Sequence, residues 1–202
     1  MKKVLFFATI LTMGLWSCGG GGNQQRAEQA TTVEDVIKIE DDGMGIWAVA
    51  YFLDEFGYPT DDRFMGNDLR ILGTFQNTAV RDADLGVRFI ILPRYPVLRH
   101  QIAVRLYEHN RNNPAIRDGF YEVLVQDGSG ERHRLSASSS RGLDRLNIGW
   151  SFDSEREKMY DILMNGGLIR VLITHSRHPA ISYSFSFYAD GFAEAYANLI
   201  AE

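Results

Sequence analysis

Residues 181–187 read Ile181-Ser182-Tyr183-Ser184-Phe185-Ser186-Phe187. Large apolar side chains alternate with serine along the run. A strand sends successive side chains to opposite faces, so this segment has one buried face and one wet face. The same two-residue period recurs upstream. Leu85, Val87, Phe89 and Ile91 share one side of residues 85–92. Ile102, Val104 and Leu106 share one side of 101–107, opposite Gln101 and Arg105, and Tyr121, Val123 and Val125 do so in 120–125. Asp127-Gly128-Ser129-Gly130 is a turn signal, after which 131–135 returns as a hairpin partner. Residues 69–75 and 168–174 read as further strands. Residues 46–53 are apolar on both faces, as a central strand would be. Residues 33–40 suggest a short strand or an acidic lead-in.

Two helices interrupt this pattern. One spans about 154–165, capped by Asp153 or Ser154 and stopped at Gly166, with Met159, Ile162 and Leu163 as its apolar stripe. The other spans about 190–201, where Phe192, Ala195, Tyr196, Leu199 and Ile200 fall on one face. About eight strands within roughly 160 residues predict a mainly β chain, a single antiparallel β-sandwich or barrel with two short helices.

The chain has 202 residues, 45% hydrophobic and 23% charged, with a net charge of −5. Wholesale disorder is excluded by that composition, and the acidic balance argues against a nucleic-acid partner. A single cysteine excludes an internal disulfide and a Cys-rich zinc site.

That cysteine closes a distinctive N-terminus. Lys2 and Lys3 precede an apolar run from Val4 to Trp16, followed by Ser17 and Cys18. The three zones read as a secretory signal peptide over 1–17, too short for a membrane-spanning helix. Leu15-Trp16-Ser17-Cys18 resembles the lipobox of bacterial lipoproteins. The resemblance implies cleavage before Cys18, acylation of its thiol and amine, and attachment to the cell envelope. Gly19, where lipoproteins held at the inner membrane often carry Asp, implies the outer membrane instead. Residues 18–44 form the lipidated cysteine and a tether, and 45–202 the β-rich domain. Gly19 to Thr32 would reach roughly 20 Å as a Gly-rich coil. Loss of Lys2 and Lys3 with residues 1–17 takes the net charge from −5 to −7.

Two further resemblances involve the domain. Gly45-Ile46-Trp47 resembles the G-x-W of lipocalins, which implies a carrier barrel with Arg170 covering Trp47. Residues 54–60 (DEFGYPT) with 73–79 (GTFQNTA) resemble a pattern of uncharacterised bacterial exported proteins. That pattern implies no activity, and as a bare turn it places Phe56 inward.

Candidate sites are few. Arg94, Arg99, His100, Arg105, His109, Arg111 and Arg117 crowd one stretch, and arginine forks suit carboxylate or phosphate. Trp47, Arg99, Arg105 and Arg170 are therefore the candidate ligand-binding residues, and Cys18 is the lipidation site. A wet strand face equally explains Arg105. His175 and His178 could serve a hydrolase given a nearby carboxylate, but surface loop histidines are the simpler reading. Asp41-Asp42 and Asp61-Asp62 read as acidic loops without calcium-loop spacing. No nucleophile elbow, P-loop or dinucleotide fingerprint is present, and neither a cofactor nor a metal is expected. The resulting expectation is a membrane-anchored envelope lipoprotein. Its domain is read as a non-enzymatic binding or structural module, its partner another envelope protein or a small ligand. A lipocalin-like carrier of a small apolar or anionic ligand is the alternative.

Overall fold

The computed structural model describes residues 45–93, 101–112, 114, 116–139, 144–150 and 152–201. The signal peptide, Cys18, the tether and Arg99 lie outside the described residues.

Ten strands and two helices follow in the order β1 (Trp47–Leu53), β2 (Pro59–Asn67), β3 (Ile71–Gln76), β4 (Ala83–Leu92), β5 (Gln101–Glu108), β6 (Gly119–Gln126), β7 (Arg132–Ser139), β8 (Leu146–Ile148), α1 (Asp153–Met164), β9 (Leu168–His175), β10 (Ser182–Tyr188) and α2 (Phe192–Ile200). All strand pairings are antiparallel. The sheet runs β1-β2-β4-β3-β10-β9-β6-β7-β8-β5, and β5 pairs back onto β4. Eight strands thus close into a barrel, which decides between barrel and sandwich. Closure removes the edges that an open sheet would expose.

The connections are not those of an up-and-down barrel. β6, β7 and β8 follow one another, then α1 carries the chain back so that β9 lies beside β6. The order β9-β6-β7-β8 is a Greek key, whereas lipocalin barrels run up and down. The barrel implied by the G-x-W resemblance is found; the up-and-down strand order of lipocalins is not.

Inward positions are those the alternation marks. Leu85, Val87, Phe89 and Ile91 of β4, Ile102, Val104 and Leu106 of β5, and Tyr121, Val123 and Val125 of β6 are all buried in one core. Phe75, Tyr183, Phe185 and Phe187 join them. An eight-stranded barrel has an interior just wide enough for side chains to fill.

The sheet forks at Asn67. β2 meets β4 at Met65↔Ile91 and Gly66↔Ile90, while β3 meets the same edge of β4 from Ile71↔Val87 onward. Two extra residues of the β2–β3 chain are therefore accommodated opposite Arg88 and Phe89. The Asn67 side chain fills the gap: its Oδ1 accepts from Phe89 N–H (2.6 Å), and its Nδ2 donates to the carbonyls of Val87 (3.0 Å) and Leu69 (2.6 Å). Close approach also demands Gly66, since a Cβ there would sit 2.6 Å from the Phe89 carbonyl oxygen. Beyond the fork β1 and β2 leave the barrel as a hairpin.

The two helices close the barrel end nearest the fork. Trp47 packs edge-on against Phe192 (5.0 Å between ring centroids), Phe89 (5.8 Å) and Phe187 (6.1 Å). Met159, Ile162 and Leu163 of α1 and Phe192, Ala195, Tyr196 and Leu199 of α2 enter the same core. The α1 cap differs from the expectation: Phe152 occupies the N-cap with no side-chain hydrogen bond. Glu155 instead accepts from the Ser136 backbone N–H (2.9 Å) and hydroxyl, pinning α1 to β7.

Four other expectations change. The segment read as a central strand is β1, at the far end of the sheet order, with Tyr51 and Phe52 exposed. Asp61-Asp62 lie within β2 rather than in a loop. Phe56 points to solvent, and Ile200 is exposed on α2. In each case an apolar or turn-like sequence is consistent with both outcomes.

Candidate functional site

Polar chemistry gathers at the barrel end remote from the helices. Alternation brings Tyr183 of β10 and Tyr121 of β6 inward there, and the register sets Tyr183 beside Phe75 and Tyr121 beside His175. The Tyr183 hydroxyl donates to Glu108 Oε1 (3.1 Å), and the Tyr121 hydroxyl donates to the Arg117 carbonyl (2.6 Å). Burial pushes the Tyr121 phenol up to about 12. Burial, then the Glu108 charge, raises the Tyr183 phenol. Both phenols are therefore protonated donors at neutral pH.

His175 is 2% exposed, not a surface loop histidine. Its Nδ1 accepts from Arg177 N–H (3.1 Å), and its Nε2 faces the Asp118 carbonyl at 3.4 Å. Those partners assign the Nε2–H tautomer. Its ring lies 4.8 Å from those of Tyr121 and His178. Burial holds the His175 pKa below its ordinary 6.5, with the His178 and Arg117 charges adding to that effect. Both ring nitrogens are directed at backbone groups, so His175 works as a clasp between the start of β6 and the β9–β10 turn. The geometry does not favour the hydrolase reading.

A second cluster closes the β6–β7 hairpin. Asp127 Oδ1 accepts from Ser129 N–H (2.9 Å), the Ser129 hydroxyl (2.6 Å) and Glu131 N–H (3.0 Å). Asp127 Oδ2 bonds His133 Nε2 at 2.8 Å, and Glu131 Oε1 lies 3.7 Å from His133 Nδ1. The Ser129 hydroxyl and then the His133 ring hold the Asp127 carboxyl well below the usual carboxylate range. Asp127, Glu131 and His133 are close enough to be considered as metal ligands. However, the carboxylates approach opposite edges of the imidazole, and Asp127 Oδ1 already takes three donors. A hairpin latch accounts for every one of these contacts.

These two sites predict an acid-sensitive fold. The folded pKa of His175 is depressed, so its contribution is full above 6.5 and declines as pH falls below that value. Asp127 follows the same sign in a lower window, its contribution declining as pH falls below 3.8. Thermal midpoints measured from pH 8 to 2.5 should fall in both windows. His175→Gln should flatten the first and Asp127→Asn the second; a profile unchanged by either substitution would refute the assignment.

Among the described residues, Trp47, Arg105 and Arg170 do not converge on one site. Trp47 is 3% exposed and its Nε1 donates to the Ala189 carbonyl (3.3 Å). Arg170 is exposed on the outer face, in register with Ser186 and Gln126, while its inward neighbour Ile169 pairs with Phe187. Aromatic rings rather than Arg170 pack on Trp47. Arg105 also faces outward, beside Arg88, and forms an ion pair with Asp144 at 2.6 Å. His109 packs edge-on against Phe75 at 5.0 Å. Asn67, Glu108 and the Asp127–His133 latch were not anticipated. The last was within reach, since hairpin register from the Asp-Gly turn places His133 opposite Val125 and near Asp127.

The class defined by this geometry is a closed eight-stranded antiparallel barrel with a helical stopper at one end and a tyrosine–histidine clasp at the other. No protein-family model matches the chain, and searches of curated proteins and of solved structures find no match.

Proposed function

We propose that the protein is a bacterial envelope lipoprotein, acylated on Cys18 and held at the outer membrane, whose barrel is a non-enzymatic binding or structural module. The observation that carries the anchor is Leu15-Trp16-Ser17-Cys18, preceded by a lysine start and an apolar run and followed directly by four glycines. One acyl chain binds a bilayer only marginally, whereas several hold a protein essentially permanently. Among the described residues no helix is long and apolar enough to cross a membrane.

The filled barrel supports a partner on the outer surface. Val87, Ile91, Ile102, Val104, Leu106, Val123, Val125 and Ile173 are all 0% exposed. Side chains that line a ligand-sized cavity remain accessible to a water-sized sphere, and these do not. A lipocalin-like carrier function, though compatible with a barrel, would require this packing to open.

Metabolic labelling with palmitate tests the anchor. The wild-type protein should take up label and fractionate with outer membranes, and Cys18→Ala should abolish both. An unlabelled wild-type protein, or a Cys18→Ala variant of unchanged mass in the same fraction, would overturn the proposal.

A further inference from the structure

The hairpin that leaves the barrel at Asn67 ends in open solvent. Residues 51–62 read Tyr51-Phe52-Leu53-Asp54-Glu55-Phe56-Gly57-Tyr58-Pro59-Thr60-Asp61-Asp62. They hold four aromatic rings and four carboxylates, with no Lys, Arg or His. Phe56 is 75% exposed and Tyr58 68% exposed, with Tyr51 and Phe52 also exposed behind them. Packing does not explain these rings, because neither Phe56 nor Tyr58 belongs to the core. Contiguous exposed apolar groups on a folded protein mark interaction sites.

The tip is also ordered before any partner arrives. Asp54 N–H donates to the Tyr58 carbonyl (2.8 Å), and Gly57 N–H donates to the Asp54 carbonyl (3.1 Å). Asp54 Oδ1 accepts from the N–H groups of Phe56 (2.9 Å) and Tyr58 (2.8 Å). Gly57, at φ 83°, supplies the left-handed residue that the turn requires. A pre-set loop loses less entropy on binding than a floppy one.

We propose that this hairpin is the docking surface for a cationic protein segment, whose arginine or lysine side chains lie over Phe56 and Tyr58 and reach Glu55 and Asp61. Charge selects that occupant. An anionic lipid surface or the same hairpin of a second copy would meet four carboxylates of like sign. A guanidinium stacks on an aromatic face and pairs with a carboxylate, so it uses both halves of this surface. The inference gives a partner class to the binding-module reading on which it rests, and is independent of the anchor at Cys18.

The test uses the full-length protein and fluorescein-labelled decapeptides of alternating Arg-Leu, Glu-Leu and Ser-Leu, read by anisotropy. The Arg-Leu peptide should bind saturably, and more weakly as salt is raised. Phe56→Ala/Tyr58→Ala should weaken it by about tenfold or more, the scale of a paired loss of hot-spot rings. Glu55→Gln/Asp61→Asn should weaken it several-fold and flatten the salt dependence. Because these side chains are exposed, thermal midpoints should stay unchanged. Equal binding of the Glu-Leu peptide, or wild-type affinity in the ring variant, would overturn the proposal. So would Phe56-dependent capture by neutral phosphatidylcholine vesicles with no peptide binding. Any of these would leave the palmitate result at Cys18 untouched, so the two failures are distinguishable.

Discussion

Trp47→Ala is expected to destabilise the fold by about 3–5 kcal/mol, the usual range for removing a buried Trp or Phe. The indole meets three rings from three different elements, Phe89 of β4, Phe187 of β10 and Phe192 of α2. It therefore couples the hairpin, the barrel and the helical stopper. Truncation leaves a cavity at the point where those parts meet, and rigid strands on two sides limit its collapse. It also leaves the Ala189 carbonyl without the Nε1 donor. Trp47→Phe should destabilise less, since a ring still fills much of the space while the donor is lost. Urea unfolding with an unchanged m-value reads both effects. A loss below about 1 kcal/mol for the alanine variant would show that the indole is not part of the core.

Asn67→Leu is the second large effect, at about 2–5 kcal/mol, although it introduces an apolar residue at a buried position. The substitution preserves volume but removes one acceptor and two donated bonds. Each buried backbone group left without a partner costs about 1–3 kcal/mol, and Phe89 N–H and the Val87 carbonyl are both affected. Asn67→Asp should be informative beside it, because an acceptor for Phe89 N–H survives while both donated bonds are lost. Hydrogen exchange localises the effect: the Phe89 amide should exchange faster in Asn67→Leu, while amides of β6 and β9 change only with global stability. A Phe89 amide as protected as in wild type would show that the amide side chain does not bridge the fork.

Much of the barrel was legible because its strands are amphipathic with a period of two. Each inward residue read from β4, β5, β6 and β10 is in the core, and both helices fall within two residues of their expected bounds. β2 was missed because Pro59-Thr60-Asp61-Asp62 is polar and turn-like, and it pairs mainly with β1 outside the barrel. β8 was missed because three residues are too few to show a period.

The sites were less legible for a different reason. Tyr183 and Glu108 meet across 75 residues, and Trp47 and Ala189 across 142. Local spacing carries no information about such pairs. Arg105 looked like part of a ligand cluster because its neighbours in sequence are basic, yet a strand sends neighbours to opposite faces. Its partner Asp144 lies far along the chain.

Sequence alone determined the mainly β class, the phase of most strands and the turn at Asp127, because each is written in residues close together along the chain. Tertiary structure decided the closure of β5 on β4, the Greek-key order, the fork at Asn67 and the exposure of Phe56 and Tyr58. Those depend on which hydrogen-bonding edges and apolar faces find one another in space, and many pairings satisfy the same alternating pattern until the whole chain must share one core.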